Sequence, residues 1–547
     1  MSQRIRILFE PMGKMVEAAP GETILDAANR SNVVIRSDCS GVLTCGKCRV
    51  VLKGARGIAE ASGGELKLLS ATELALGYRL ACAAELLPVS GIITVMVPDG
   101  GVRRARKFSE AGVERHVRLD PLIQAQNSTF PLFGLAVDIG TSRVTARLVD
   151  LRSGLTLGTG SVENPQMMYG ENLMTRAAYA QRSDENRLRL RAMTLDEINK
   201  LLDKLTSQLG FASGDVSQAV VVGNTVMHHL FLGLDTKPLT RAPFTPTVKD
   251  MIQMGGAESG LNINPSGIVT LLPNVDAFVG ADAISDILSS NILHRAEPVL
   301  LLDIGTNTEL VLRTGGETLS CSCASGPAFE GEHIENGMKA VEGAIEAVKI
   351  RAHGQVIEFK TLGLGKPVGI CGSGIVDALA EMLREGLINR VGRFNADTPQ
   401  LTNAGGAKKF VLARGDETET ERPITVSERD INEVILAKAA IHAAAQVLMG
   451  IKGIRVDDLR GVLVAGAFGN HLNKTNAKRI ELLPTVENRR ITFIGNAALS
   501  GATMAIKSRR ILESSIRIAR ETRYVELAGR ADFESEFKKS LLLPSAK

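Results

Sequence analysis

Apolar positions along this chain follow two styles, and the change between them comes near residue 132. Before it, short apolar runs alternate with polar stretches: Ile5–Phe9, Met15–Ala18 and Ile92–Val97 predict strands, and Glu22–Arg30 predicts a helix. A cysteine-bearing loop follows that helix. Pro98, Asp99, Gly100 and Gly101 then break the pattern, as clustered Pro and Gly do. From Phe133 onward, apolar strands end in glycine turns and lead into helices. Gly134–Val137 runs into DIGTSR at Asp138, Val299–Leu302 into DIGTNTE at Asp303, and Gly461–Ala465 into GAFGNHL at Gly466. The clearest helix starts after Ser427, where Ile431, Val434, Ile435, Ile441, Ala445 and Leu448 keep the spacing of a buried face, interrupted by Lys438. Ser427 and Asp430 predict a capping box, with Asp where Glu is usual. The strand-then-DIGT unit recurs at 138 and 303 and predicts two related lobes. The expected divisions are a small α+β domain over 1–97, a linker over 98–131, a first lobe over 132–290 and a second over 291–547.

Composition narrows the class. The 547 residues are 44% hydrophobic and 23% charged, which is globular usage. Lys and Arg number 64 against 60 Asp and Glu, and a net charge of +4 leaves no electrostatic footprint for nucleic acid. The one basic run, Arg103, Arg104, Arg106 and Lys107, reads as a solvated linker face. No apolar stretch approaches the roughly 20 residues that span a bilayer, and the start has no signal-peptide core. A cytoplasmic location with no membrane partner is therefore expected. Trp is absent and aromatics are 4%, so the core must be aliphatic.

Seven cysteines at irregular spacing do not make a disulfide framework. Cys39, Cys45 and Cys48 stand as C-x5-C-x2-C, and Cys82 follows at a distance. Three thiolates on one loop with a remote fourth form the donor set of an iron–sulfur cluster. Gly41 and Gly46 give that loop its backbone freedom. Structural zinc and unrelated thiols are the alternatives, but zinc favours two C-x(2–4)-C pairs rather than three plus one. The five-residue first gap resembles the adrenodoxin and putidaredoxin branch of [2Fe–2S] ferredoxins. Cys321 and Cys323, on one side of a strand, and Cys371 in GICGSG read as buried thiols.

Asp138 and Asp303 each stand at a strand end before a glycine turn and a hydroxyl. The amides and hydroxyls of Gly140, Thr141 and Ser142, and those of Gly305, Thr306 and Asn307, suit the phosphate tail of ATP. The two aspartates suit hydrated Mg2+, and two such hairpins facing each other would clamp phosphates from both sides. LPNVDAFVGADAISDIL (272–288) predicts a helix with Ala277, Gly280 and Ala281 on a contact face. VLVAGAFGNHL (462–472) predicts a strand, glycine turn and helix fit for adenosine, and IGNAALSGA (494–502) a second small-residue helix. TLGLGKP (361–367) has the wrong spacing for a P-loop. No strand–GxGxxG–helix occurs, so no flavin or nicotinamide site is expected and electrons must come from an external low-potential donor.

The order of phosphate loop, crossing helix, phosphate loop, adenosine loop and crossing helix resembles the acetate kinase, sugar kinase, Hsp70 and actin superfamily. That resemblance implies Gly466 and Gly469 against adenosine, and Asp276 near Mg2+ or the attacking water. Glu330 in GPAFEG reads as a water-orienting group or as a carboxylate at a helix start. His228 and His229 read as partner or cobalt contacts or as core packing, and Arg143 as a phosphate contact or a solvent-facing residue.

From about residue 3 to 530 the chain resembles the reductive activators of corrinoid enzymes. The cysteine set carries the resemblance, together with GLAVDIGTSRVTARLVD, VVVGNTVMHHLFLGLD, RAPFTP, LLLDIGTNTELVL, SGPAFEGEHIENGM, GICGSGIVDALAEML, VLVAGAFGNHLN and IGNAALSGA. It implies an α+β β-grasp [2Fe–2S] ferredoxin domain followed by a two-lobed α/β actin/Hsp70-like (ribonuclease-H-like) ATPase domain. It implies that ATP and Mg2+ drive an electron from the cluster to the inactive cob(II)alamin of a partner corrinoid protein in a methyltransferase system. It also implies a homodimer. Ser142 and Arg143 depart from the pattern, since threonines are expected there. No D-x-H-x-x-G signature occurs, which leaves the corrinoid to the partner. Three other readings stay open: an electron injector for a 2-hydroxyacyl-CoA dehydratase, an ATP-gated redox-sensing module, and a ferredoxin-fused small-molecule kinase. The first of these uses a [4Fe–4S] cluster between subunits, which this cysteine set does not match.

Overall fold

The computed structural model describes residues 4–10, 13–31, 33, 35, 37, 41, 43, 46–53, 57–69, 71–89, 91–97, 112, 115–123, 132–395, 398–404, 406–466 and 472–545. They divide into an N-terminal unit (Met1–Ala105, joined by Pro165–Glu171) and a larger one (Arg106–Asn164 and Asn172–Lys547).

In the N-terminal unit, β1 (Ile5–Glu10) and β2 (Lys14–Ala18) form an antiparallel hairpin whose alternation turns Ile5, Ile7 and Phe9 inward. The helix Ile24–Arg30 buries Ile24, Leu25, Ala27 and Ala28 over them. Thr23 starts that helix through a capping box with Asp26. β3 (Arg49–Lys53), β4 (Tyr78–Leu80) and β5 (Ile92–Met96) complete a sheet of order β2-β1-β5-β3-β4, with β1 and β5 parallel at its centre. That is the β-grasp order.

The larger unit holds two six-stranded sheets. β6 (Phe133–Ile139), β7 (Arg143–Asp150), β8 (Thr156–Glu163), β9 (Val216–Gly223), β10 (Ile252–Gly255) and β11 (Ile268–Leu271) lie in the order β10-β11-β9-β6-β7-β8. β12 (Val299–Ile304), β13 (Thr308–Thr314) and β14 (Glu317–Cys323) begin the second sheet. Two three-stranded sheets interrupt it: β15 (Ala344–Arg351), β16 (Val356–Thr361) and β17 (Gly369–Ile370), then β18 (Leu401–Ala404), β19 (Ala407–Ala413) and β20 (Ile424–Ser427). β21 (Gly461–Ala465), β22 (Ile491–Gly495) and β23 (Thr522–Tyr524) return to give β22-β21-β12-β13-β14-β23. Laid β12 on β6, five strands of each sheet match, while the sixth lies at opposite edges, β10 antiparallel beside β11 and β23 parallel beside β14. Each central strand ends in Asp-Ile, with two antiparallel strands on one side and two parallel strands on the other. The repeated DIGT therefore marks a repeated lobe.

Two helices, Ala281–Ser290 and Ala497–Lys507, pack against each other between the lobes. Ile284, Ile287, Leu499 and Ile506 share one apolar core with Ala136 and Val220 of the first sheet and Leu301 and Val311 of the second. The contact is backbone-close: a Cβ added at Gly501 would lie 2.2 Å from the Ser285 carbonyl oxygen. The first crossing helix is shorter than the sequence pattern predicts. It begins at Ala281, with Gly280 as N-cap, and residues 273–280 form a loop closed by Val275 and Asp276 N–H bonds to the Val279 carbonyl. Pro273 and the close seat of Gly280 against Asn224 explain the late start, since a Cβ at Gly280 would stand 2.5 Å from the Asn224 Cα. Helix Glu428–Ile451 is long and apolar enough to cross a membrane by length and composition alone, and 72% of its most apolar window is buried in the protein, as a core helix is.

Candidate functional site

The cysteine loop is built by the β3–β4 pairing. Cys48 immediately precedes β3 and Cys82 lies just beyond β4, and the Ala81 N–H donates to the Cys48 carbonyl at 2.8 Å. Cys48 is buried and Cys82 half-buried. Cys39 and Cys45 lie outside the described residues. Gly41 has φ +88°, and a Cβ there would come 3.9 Å from the Cys82 Cβ, so the loop passes directly over the distant cysteine. Ser37 Oγ accepts from the Gly41 N–H at 3.1 Å and closes the turn. Below, a buried ion pair braces β4. Arg79 Nη2 meets Glu65 Oε2 at 2.9 Å, and the Leu80 N–H donates to Glu65 Oε1 at 3.0 Å. Burial pushes the Glu65 carboxyl up, but Arg79 and the backbone donors outweigh it and hold it below its ordinary range. Cys48 and Cys82, tied together by the β3–β4 pairing beside a left-handed glycine turn, fit a cluster that takes four thiolates.

In the larger unit the two DIGT turns meet. Ser142 Oγ lies 2.9 Å from Thr306 Oγ1, and Thr306 also donates to Glu330 Oε1 at 2.7 Å. Both hydroxyl residues are buried. The first loop is held from behind by Asn164, whose amide donates to the Gly140 carbonyl at 2.8 Å and whose N–H donates to the Ser142 carbonyl at 3.0 Å. Asn224 caps its helix by accepting from the Met227 N–H at 3.0 Å and turns its amide toward Thr141 Oγ1 at 3.4 Å. Asn496 does the same in the other half: it accepts from the Leu499 N–H at 2.7 Å and donates to Asp138 Oδ2 at 3.2 Å. Each asparagine spends its carbonyl on a cap and its amide on the site. In the second loop the Gly305 N–H donates to the Asn307 carbonyl at 3.2 Å, and Asn307 Nδ2 has no hydrogen-bond partner among the described residues.

Around Asp303 the site is strongly acidic. Burial pushes its carboxyl up to about 6. Asp282, on the crossing helix, is pushed up to about 7 by burial and then by the Asp303 charge. Asp286, one turn on, and Glu309, paired with Asp303 across β12 and β13, are raised by burial and by these neighbours. Burial and mutual repulsion raise these carboxyls above their ordinary range, and a bound cation would favour the charged form. Among the described residues no three of these side chains converge to ligate a metal directly, so the carboxylates suit a Mg2+ that keeps its waters. Gly466 follows β21 at φ +92°, and a Cβ there would stand 2.4 Å from the Ile304 carbonyl oxygen and 3.0 Å from Asp303 Oδ1. Gly469 lies outside the described residues. Asp276 is taken by Lys249, Nζ to Oδ2 2.6 Å, and opens on a pocket of about 330 Å³ that Asn274, Arg520 and Tyr524 also line and that neither DIGT loop borders.

His228 and His229 are buried, as their packing reading has it. His229 Nε2 accepts from the Thr247 N–H at 3.0 Å, and burial pulls His228 down to about 3, so it stays neutral. Cys321, Cys323 and Cys371 are buried thiols. Sequence reasoning missed Asn164, Asn224, Asn496, Asp282, Asp286 and Glu309. A signal existed for two of them, because Gly223-Asn224 and Gly495-Asn496 repeat one strand-end dipeptide.

Residues 8–87 match the family of 2Fe-2S iron-sulfur cluster binding domains, 133–295 the RACo middle region, and 297–547 the C-terminal domain of RACo, the ASKHA domain. The chain thus carries an iron–sulfur domain and a nucleotide-binding domain. A solved structure entitled reductive activator for corrinoid,iron-sulfur protein superimposes with a TM-score of 0.73 at 30% identity, over 99% of each chain. The corrinoid activation enzyme RamQ of Eubacterium limosum is 34% identical over 455 residues, which is 80% of this chain and 76% of that one. The [Co(II) methylated amine-specific corrinoid protein] reductase of Methanosarcina barkeri is 26% identical over 71% of this chain and 73% of that one.

Proposed function

Because the chain belongs to the family of reductive activators of corrinoid proteins, we propose that it uses ATP to return the cob(II)alamin of a partner corrinoid protein to cob(I)alamin. The partner serves a methyl-transfer system, an external low-potential donor supplies the electrons, and the chain works as a cytoplasmic homodimer. Held by Cys39, Cys45, Cys48 and Cys82, a [2Fe–2S] cluster gives one electron at a time.

In the larger unit, Asp138 and Asp303 hold Mg2+ through its waters. Gly140, Thr141, Ser142, Gly305, Thr306 and Asn307 donate to the phosphates, while Gly466 and Gly469 leave room for adenosine. Glu330 orients the water that attacks the terminal phosphorus. Asp276, committed to Lys249, orders the loop that launches the first crossing helix. ATP is needed because the transfer runs uphill, and each 100 mV or so by which the cobalt couple lies below the cluster costs about 2.3 kcal/mol. A nucleotide that binds the closed lobes better than the open ones can supply that difference.

The observation that carries the reading is the 2.9 Å meeting of Ser142 and Thr306, one hydroxyl from each lobe, where a phosphate would be gripped by both. The test is anaerobic incubation of the reduced protein with a cob(II)alamin carrier protein, Mg2+ and ATP. Cobalt(I) absorbance should rise with release of inorganic phosphate. Phosphate transferred instead to a sugar or acid would turn the reading toward a kinase, and cobalt reduction indifferent to ATP would remove the coupling.

A further inference from the structure

The pocket of about 330 Å³ beside Asp276 lies away from both DIGT turns and takes its walls from both lobes. The first lobe supplies Lys249, Asp250 and the loop around Asn274, and the second supplies helix Arg509–Glu521 and β23. Its volume stands at the small end of ligand pockets, which run from about 300 to 1,000 Å³.

Several polar groups there are already committed. Asp276 Oδ2 takes Lys249 Nζ at 2.6 Å, Asp276 Oδ1 accepts from the Ala277 N–H at 2.9 Å, and the Tyr524 hydroxyl donates to Glu526 Oε2 at 2.8 Å. Asn274, Asp250 and Arg520 are not. Asn274 is 2% exposed and its amide donates to the Val248 carbonyl at 3.3 Å, but its Oδ1 has no hydrogen-bond partner among the described residues. A buried acceptor in that state calls for a donor. The side chains of Asp250 and Arg520 are exposed and have no ion-pair partner among the described residues.

The first lobe thus offers an acceptor and an anion, the second a cation, and Val275, Ile516 and Ala519 an apolar wall. An ammonium would donate to Asn274 Oδ1 and pair with Asp250. A carboxylate matches the planar fork of Arg520, and an aliphatic side chain covers the wall. We propose that this pocket binds a small α-amino acid with an aliphatic side chain. A ligand there touches both lobes and favours the arrangement seen here, as any ligand favours the state it fits. The loop beneath it is tied to the first DIGT turn: Thr225 Oγ1 donates to the Asp276 carbonyl at 2.6 Å, and neighbouring Asn224 turns its amide toward Thr141 Oγ1 at 3.4 Å.

Calorimetry on the full-length protein, with no nucleotide or corrinoid partner, would titrate L-leucine, isocaproate, which lacks the ammonium, and isoamylamine, which lacks the carboxylate. Leucine should bind, and each analogue should bind about tenfold more weakly or worse, the effect of one lost charge-assisted hydrogen bond. Arg520→Met should weaken leucine about tenfold and leave the weaker binding of isoamylamine unchanged. Asp250→Asn should weaken leucine and isoamylamine and leave isocaproate unchanged. Both substitutions fall on exposed side chains, so melting temperatures should stay at the wild-type value. No leucine binding at millimolar concentration, an analogue that binds as tightly as leucine, or variants that bind leucine like wild type would each overturn the proposal. Because no nucleotide is present, failure of the ATP reading would leave these results untouched.

Discussion

Gly501→Ala adds one methyl where the two crossing helices touch. The new Cβ would stand 2.2 Å from the Ser285 carbonyl oxygen and 2.6 Å from its carbonyl carbon and Cα, whereas ordinary contact begins at 3.4 Å. Every atom it strikes is backbone, so no rotamer change relieves the clash and the helices must part by about 1 Å. Overpacking of this kind costs about 1–3 kcal/mol, and alanine returns about 0.5–1 kcal/mol of helix propensity. A net loss of about 1–2 kcal/mol lowers the melting temperature by about 2–8 °C at the slope of larger domains. Far-UV circular dichroism would report the larger unit, and the visible absorbance of the cluster the N-terminal one, which should not change. Gly450→Ala is the control: its added Cβ meets nothing within 4 Å, so the substitution should stabilise. A Gly501→Ala protein that melts at or above wild type, as the control should, would refute backbone contact between the helices.

The remaining expectations address the two chemistries separately. Cys45→Ala should abolish the visible absorbance and leave ATP affinity within about twofold, as additivity between independent sites requires; a collapse of both would mean that the units fold as one. Asp303→Asn should lower phosphate release by about 100-fold or more, the scale of a lost transition-state electrostatic contact, with an unchanged cluster spectrum. Glu65 has a folded-state pKa below its ordinary value of 4.5, so its stabilisation is present above that pH and lost as pH falls through the folded value. Glu65→Gln strands Arg79, should cost about 3–5 kcal/mol at pH 7, and should flatten the acid dependence in denaturant unfolding followed by visible absorbance. A variant that unfolds like wild type at pH 7 would show that the pair does not brace Cys82.

The fold was legible where local pattern and packing agree. Both bonds of the Ser427–Asp430 capping box form, at 3.2 and 2.9 Å, and the stripe from Ile431 to Leu448 is buried as its spacing demands. Lys438 breaks that stripe because its ammonium reaches the Leu542 carbonyl at 3.2 Å and the Glu481 carboxylate at 3.7 Å, partners supplied by distant chain that no local window contains. The lobes were legible because Asp138 and Asp303 end equivalent strands. What stayed hidden belongs to tertiary placement. Asp282 and Asp286 sit in a run that reads as small helix residues, and only the approach of Asp303 makes them a charged cluster. Arg176 looks like an exposed helix charge, yet tertiary packing buries it completely. Asp276 was expected near the nucleotide by resemblance, and Lys249, 27 residues earlier, holds its carboxylate.

Coupling is best tested in a single turnover. The protein, reduced chemically and freed of excess reductant, would be mixed anaerobically with a cob(II)alamin carrier protein and Mg2+, with and without ATP, and cluster reoxidation followed beside cobalt(I) formation. The account predicts that both signals move together, one cobalt per electron held, only when ATP is present, and that Asp303→Asn leaves both flat. Equal cobalt(I) yield without nucleotide would contradict it.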